Sequence, residues 1–434
     1  ARKGLRMDRP MISRLRRGAA AVALVSVTCA PVTAQTVRLQ AFGDPAELAA
    51  YRELITAFKA ATPGADVEFI PVGKQRDHMA KLATGFAGGD PPDLFLINFR
   101  RFGQFASKGV LEPLGPALAA RGRYKEADYY EQATEAFRVG GSMVCAPQNI
   151  SSLVVYYNVA LFKEAGLGLP AADWTWGDFF NAAKVLTRDT SGDGKTDIYG
   201  LGVEPSLIRL SPFVWQAGGE VVDDLHRPTR FTIDTPAGRE AQEFVRSWLI
   251  NRVVPSQSES RAEDAETRFA RGGLGMVLNS RRLTATLRGV QGLDWDVAPL
   301  PRHHKAATVL HSDAYCMAKA SRNKEAALRF VEFALGETGA AIVARSGRTV
   351  PALKKVAQGP DFLDPRQRPR SAKVFLDSIP LIRRTPNVAA WNEIETRSDP
   401  LIEGWFYSPR PPLVPLNQDL NEASQTLLGR PGKP

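Results

Sequence analysis

The chain is poor in cysteine. Three occur among 434 residues, and Cys29 lies in a leader-like stretch that export would remove. Two remaining cysteines cannot staple a small disulfide-built scaffold, so a hydrophobic core must hold the fold. In an oxidising compartment Cys145 and Cys316 read either as a bonded pair or as two buried thiols acting as small hydrophobes. Long apolar runs are missing too: after residue 34 none is long enough to cross a bilayer as a helix. Charge of one sign is scarce. The formal net charge is +10, but residues 1–34 hold seven Lys/Arg against one Asp, which leaves 49 basic and 45 acidic residues elsewhere. With so small a surplus and no basic patch interleaved with aromatics, nucleic-acid binding is not expected. There is no internal repeat and no low-complexity linker. Nor does any motif gather a nucleophile, a base or a set of metal ligands, so neither catalysis nor a cofactor is expected.

What is present begins with an export signal. Arg14, Arg16 and Arg17 precede a small-residue apolar run from Gly18 to Ala30, and Val32-Thr33-Ala34 forms a small-x-small cleavage site. The mature chain is expected to start near Gln35. Ser26-Val27-Thr28 is a poor lipobox before Cys29, so a lipid anchor is not expected. Arg16-Arg17 lacks the rest of a twin-arginine motif, which favours the general export route.

The following segments alternate. Val37–Phe42 reads as a strand, and Asp44-Pro45 opens a helix whose apolar positions Leu48, Tyr51, Leu54, Ile55 and Phe58 have helical spacing. Val67–Pro71 is a second strand, His78–Phe86 a helix, and Leu94–Ile97 a continuous apolar strand suited to a parallel sheet. Further strands are expected at Leu153–Tyr157, Gly275–Leu278, Asp296–Pro299 and Ala314–Ala318. Helices are expected at Trp176–Leu186, Pro236–Leu249, Asn323–Leu335, Ala372–Ile379 and Trp391–Glu395. This is an α/β pattern with two interwoven lobes, and ligands in such sheets bind beyond the carboxyl ends of strands.

Several blocks carry a resemblance. In order they are GGDPPDLFLIN with FASKGVLEPL, APQNISSLVVYYNVALFKEAGL, TWGDFFNAAKVLT, WQAGGEVVD, FARGGLGMVLNSRR, WDVAPLP, and AYCMAKASRNKEAALRFVEFAL with GRTVPAL. Together they resemble the extracellular solute-binding proteins of bacterial ATP-driven importers, in the carbohydrate-binding subgroup that includes maltose-binding protein. The resemblance implies the two-lobed type II periplasmic-binding fold, with hinge strands joining the lobes and a ligand cleft between them. It implies a first lobe of residues 35–146 plus 312–368 and a second of 147–311 plus 369–434, after a signal region of 1–34. It implies a monomeric periplasmic protein that binds a mono- or oligosaccharide and delivers it to membrane permease subunits. Crossings between lobes are implied near Cys145–Gln148, near Leu310–Ala318 and after Pro351, which puts Cys145 and Cys316 close enough to bond. Two departures stand out: Cys145 where the family usually has an aromatic, and Asn279-Ser280-Arg281 where a Gly-Ser-Trp-like tip is common.

A sugar site needs polar side chains for hydroxyls and a ring to stack on C–H faces. The candidates at strand or motif tips are Asp44, Asn98, Arg100, Gln148, Asn149, Trp215 with Gly218, Asn279, Arg281, His311, Ser312, Asp313 and Arg348. Bland readings stand beside them. Asp44 is a natural helix cap, Trp215 plain core, Gly218-Gly219 a turn, and Arg100-Arg101 a solvated face. The runner-up ligand is a phosphorylated polyol such as glycerol 3-phosphate, because Arg100, Arg281, Arg348 and Arg384 would suit phosphate. A neutral-sugar site would instead pair each arginine with an acid. A glycosidase would require two carboxylates about 5–10 Å apart, and no motif tip offers such a pair. The segment Asp189–Asp197 has oxygen ligands at alternating positions like a calcium loop, but Gly200 replaces the closing Glu, so an ordinary turn is expected. Arg302-His303-His304 would suggest zinc, but no third ligand accompanies the two histidines.

Overall fold

A computed structural model describes residues 36–408 and 416–428. The leader reading lies outside the described residues.

The first lobe is built on a six-stranded sheet. Its main order is Asp66–Val72, Thr36–Phe42, Leu94–Asn98, Asp313–Ala318 and Leu111–Glu112, with Ala146–Pro147 also pairing Asp313–Ala318. The three leading strands are parallel, and Asp313–Ala318 runs antiparallel with Asp313 opposite Asn98. The carboxyl ends of the parallel strands therefore share one sheet edge with the start of the returning strand. Leu94–Asn98 is buried along its whole length, as its unbroken apolar run requires.

The second lobe carries a four-stranded sheet ordered Tyr199–Gly202, Leu274–Asn279, Val154–Asn158 and Trp295–Ala298. Val154 and Tyr156 pack into one core cluster while Leu153, Val155 and Tyr157 pack into the other, so the period of two covers both faces. Between the sheets the chain passes back and forth side by side. Ser151–Ser152 pairs antiparallel with Thr308–His311, Ala146–Pro147 with Tyr315 and Ala314, and Asn149 bridges Pro351.

Most expected elements are present, with shifted limits. The second helix starts earlier, at Gln75, and runs to Ala87. Trp391–Glu395 is only the start of a helix that continues to Tyr407, straight through Pro400. Apolar residues Ile394, Ile402 and Phe406 anchor its buried stripe and override the local break. Several helices were not expected, among them Leu207–Gln216, which contains Pro212, Glu337–Arg345, Leu114–Arg121 and Leu283–Arg288. Phe99–Ala106, which follows the Leu94–Asn98 strand end, is a helix. A Cβ on its Gly103 would sit 1.8 Å from the carbonyl oxygen of Asn387, so glycine is what lets the C-terminal segment cross it.

Candidate functional site

A cleft of about 340 Å³ lies where the strand ends of both lobes meet. Asn98, Arg100, Asn149, Arg281, His311, Asp313 and Arg348 line it, so seven of the sequence candidates come together.

The first wall is a continuous hydrogen-bonded fabric. Asp44 caps the Pro45–Ala61 helix, its Oδ1 accepting the Glu47 N–H at 3.0 Å, while its Oδ2 holds Arg348 Nη1 at 2.5 Å. Cap and charge partner are therefore one residue. Arg348 also pairs with Glu47, which is 4% exposed. Burial pushes the Glu47 carboxyl up to about 7, outweighing the adjacent Arg348 guanidinium. The Tyr51 hydroxyl donates to Gln148 Oε1 at 3.2 Å, and Gln148 Nε2 donates to the Tyr315 hydroxyl at 2.8 Å. Gln148 thus lies behind the wall. Asn149 faces the cleft: its Nδ2 donates to Asp313 Oδ2 at 3.2 Å, and its Oδ1 accepts the Asp313 N–H at 3.1 Å. Asn98 donates to the other Asp313 oxygen at 3.1 Å while its Oδ1 caps the following helix. Ser312, fully buried, donates to the Asn149 carbonyl at 2.6 Å. Beneath this wall Cys145 and Cys316 are bonded, with Cα atoms 4.5 Å apart.

The second wall is looser. Arg209 reaches Glu204 at 3.3 Å, and Arg282 pairs with Glu266. The Asp399 carboxylate accepts the Leu207 N–H at 2.8 Å, and burial raises its pKa to about 6. Arg100 and Arg101 cross from the first lobe to share Glu395, at 3.0 and 3.1 Å. Arg281 is 1% exposed and its guanidinium has no hydrogen-bond partner among the described residues. It lies 4.7 and 5.1 Å from the Phe362 and Phe375 rings, and burial lowers its pKa to about 9. His311, which also lines the cleft, is held neutral by burial and by Arg100, Arg209 and Arg282.

Three candidates fall elsewhere. Trp215, expected as a stacking ring, is 3% exposed on the Leu207–Gln216 helix, and Arg383 covers it at 5.0 Å. It faces a separate cavity of about 440 Å³ together with Arg384. The unexpected helix turned it inward, which corrects the stacking role. Gly218, at φ +90°, simply closes that helix in a turn, its N–H donating to the Trp215 carbonyl. Asn279 donates to Glu266 Oε1 at 2.9 Å and lines an adjoining cavity of about 570 Å³. That cavity shares Glu204, Ser206, Arg209, Arg282 and Asp399 with the cleft, which leaves room for a longer ligand. Sequence reading missed Glu47, Arg209, Arg282 and Asp399. Arg282 had a signal, since it follows Arg281 in the turn just after the Leu274–Asn279 strand, where such sheets bind ligands. The Asp189 carboxylate accepts the N–H groups of Gly192 and Gly194, at 2.6 and 2.8 Å, so that loop closes on itself as a turn.

The family description "Bacterial extracellular solute-binding protein" matches residues 43–341, well over half of the chain. The chain belongs to that family. Among solved structures it is similar to an ABC substrate-binding protein from Listeria monocytogenes in complex with cycloalternan. That match has 26% identity and a TM-score of 0.81, covering 90% of this chain and 98% of the other. A putative binding protein of Brucella abortus is 24% identical over 79% of this chain and 81% of its own length. The galactooligosaccharide-binding protein of Bacillus subtilis is 19% identical over 95% of both chains. The extracellular solute-binding protein described here accordingly has the two-lobed type II fold.

Proposed function

We propose that this protein captures a neutral mono- or oligosaccharide in the cleft and delivers it, unaltered, to the permease of an ATP-driven importer. One observation carries the ligand reading. Five of the six cleft arginines are already engaged with carboxylates: Arg348 with Asp44 and Glu47, Arg100 and Arg101 with Glu395, Arg209 with Glu204, and Arg282 with Glu266. Guanidinium groups so compensated offer directed N–H donors without the converging positive charge a phosphate requires. Asp313 and Asn149 add hydroxyl-binding groups. Among the described residues Phe42 is the only ring besides His311 along the cavity, so hydrogen bonding rather than stacking orients the ligand. The similarity to relatives named for oligosaccharides supports the same class. Binding would shift an equilibrium between lobe arrangements, and the ligand-held form would dock on the permease. The lobe limits given above, export to the periplasm and a monomeric state belong to this proposal. Calorimetry over a sugar panel tests it: at least one sugar binds and is recovered unchanged. Tight binding of glycerol 3-phosphate, steeply weakened by salt, would overturn it.

A further inference from the structure

We propose that Glu240, His303 and His304 form a surface site for a divalent transition-metal ion of the zinc class. The two histidines follow one another in a loop, and the third ligand comes from 63 residues earlier, on the Pro236–Ile250 helix. His303 Nε2 lies 2.7 Å from Glu240 Oε1, and His304 Nε2 lies 3.2 Å from Glu240 Oε2. One ligand atom from each residue falls within 4.8 Å of the others. Bonds of about 2.0–2.1 Å in tetrahedral geometry separate ligand atoms by roughly 3.3 Å, so an ion needs only small side-chain adjustments to enter. Two imidazole nitrogens among three donors select zinc, nickel or copper over magnesium or calcium.

The site is held in shape. The His303 ring stacks on Trp176 at 4.2 Å and 12°, and Trp176 stacks on Phe244 at 4.2 Å and 6°. The loop is pinned by Arg302 N–H to the Trp174 carbonyl at 2.9 Å and by Lys305 N–H to the Gln216 carbonyl at 2.9 Å. His304 and Glu240 remain open to solvent, which gives an ion an entry path and leaves a coordination position for water. A bound ion would clamp the loop to the helix and to the end of the segment that carries Arg209.

Zinc titration of the full, tag-free protein tests the site, by calorimetry and by thermal unfolding. One ion should bind per chain and raise the melting temperature. Copper or nickel should quench Trp176 emission, because the indole lies against a ligand ring. His304→Asn, whose side chain is largely exposed, should keep the fold by circular dichroism and weaken zinc binding at least about tenfold. Glu240→Gln should do the same, whereas His226→Asn should bind as the wild type does. No saturable zinc binding, equal binding in His304→Asn, or loss in His226→Asn would each overturn the proposal.

Discussion

The two walls of the cleft use the same side-chain types but hold them differently. In the first wall each polar group has several partners, and the partners are themselves tied: Asp313 is gripped by both Asn98 and Asn149, and Arg348 by both Asp44 and Glu47. In the second wall Arg209 and Arg282 each make a single ion pair in which one partner faces water: Glu204 is 74% exposed and Arg282 46%. A buried network is costly to leave half-satisfied, so the first wall is pre-organised. The second can re-pair its arginines when a ligand arrives.

The contrast can be broken at its strongest point first. The Cys145–Cys316 bond closes a loop spanning 171 residues beneath the first wall. Replacing both cysteines with serine is expected to cost about 2–5 kcal/mol, read from urea unfolding. Equal stability with and without reductant would show that the first wall does not depend on it. Arg348→Ala comes next. It strands Glu47 in a buried position, and the expected loss is about 2–4 kcal/mol together with weaker sugar binding. Glu47→Gln in the same chain should restore part of that stability. Asn149→Ala should weaken sugar binding by about 1–3 kcal/mol, because it frees one oxygen of Asp313 and removes a donor. Affinity equal to the wild type would remove Asn149 from the site.

Two smaller effects sharpen the comparison. Burial holds the folded-state pKa of Glu47 near 7, above its usual value of 4.5. The folded state therefore binds the proton more tightly, and this residue's contribution to stability is greatest below 4.5 and is lost as pH rises through 7. Unfolding of wild type relative to Glu47→Gln across pH 4.5–7 should show that decline. His78, whose pKa burial lowers to about 4, acts oppositely on acidification in both proteins and cancels in the difference. Arg209→Ala should cost about 1–2 kcal/mol, because its ion pair is weak, with Glu204 mostly solvated, and the loss comes mainly from the packing of the buried arginine stem. A larger loss would mean that the second wall is as rigid as the first.

Sequence alone carried much of this protein. Motif order placed the family, and apolar runs placed Leu94–Asn98 and Val154–Asn158, because a buried strand must be continuously apolar. Strand-end logic found Asp44, Asn98 and Arg100, since parallel strands deliver their carboxyl ends to one edge, while Asn149, Asp313 and Arg348 came from the family resemblance. Tertiary structure decided the rest. Periodicity around Pro212 and Pro400 was hidden by local breakers that packing overrode, and with it went the orientation of Trp215 and the positions of Arg209 and Asp399. The choice between a disulfide and two thiols depended on strands far apart in the chain. So did the pairing of Arg348 with two acids of the first helix, and of His303 and His304 with Glu240. Local sequence fixes which face of an element is apolar. Which charges meet across elements depends on how those faces are brought together.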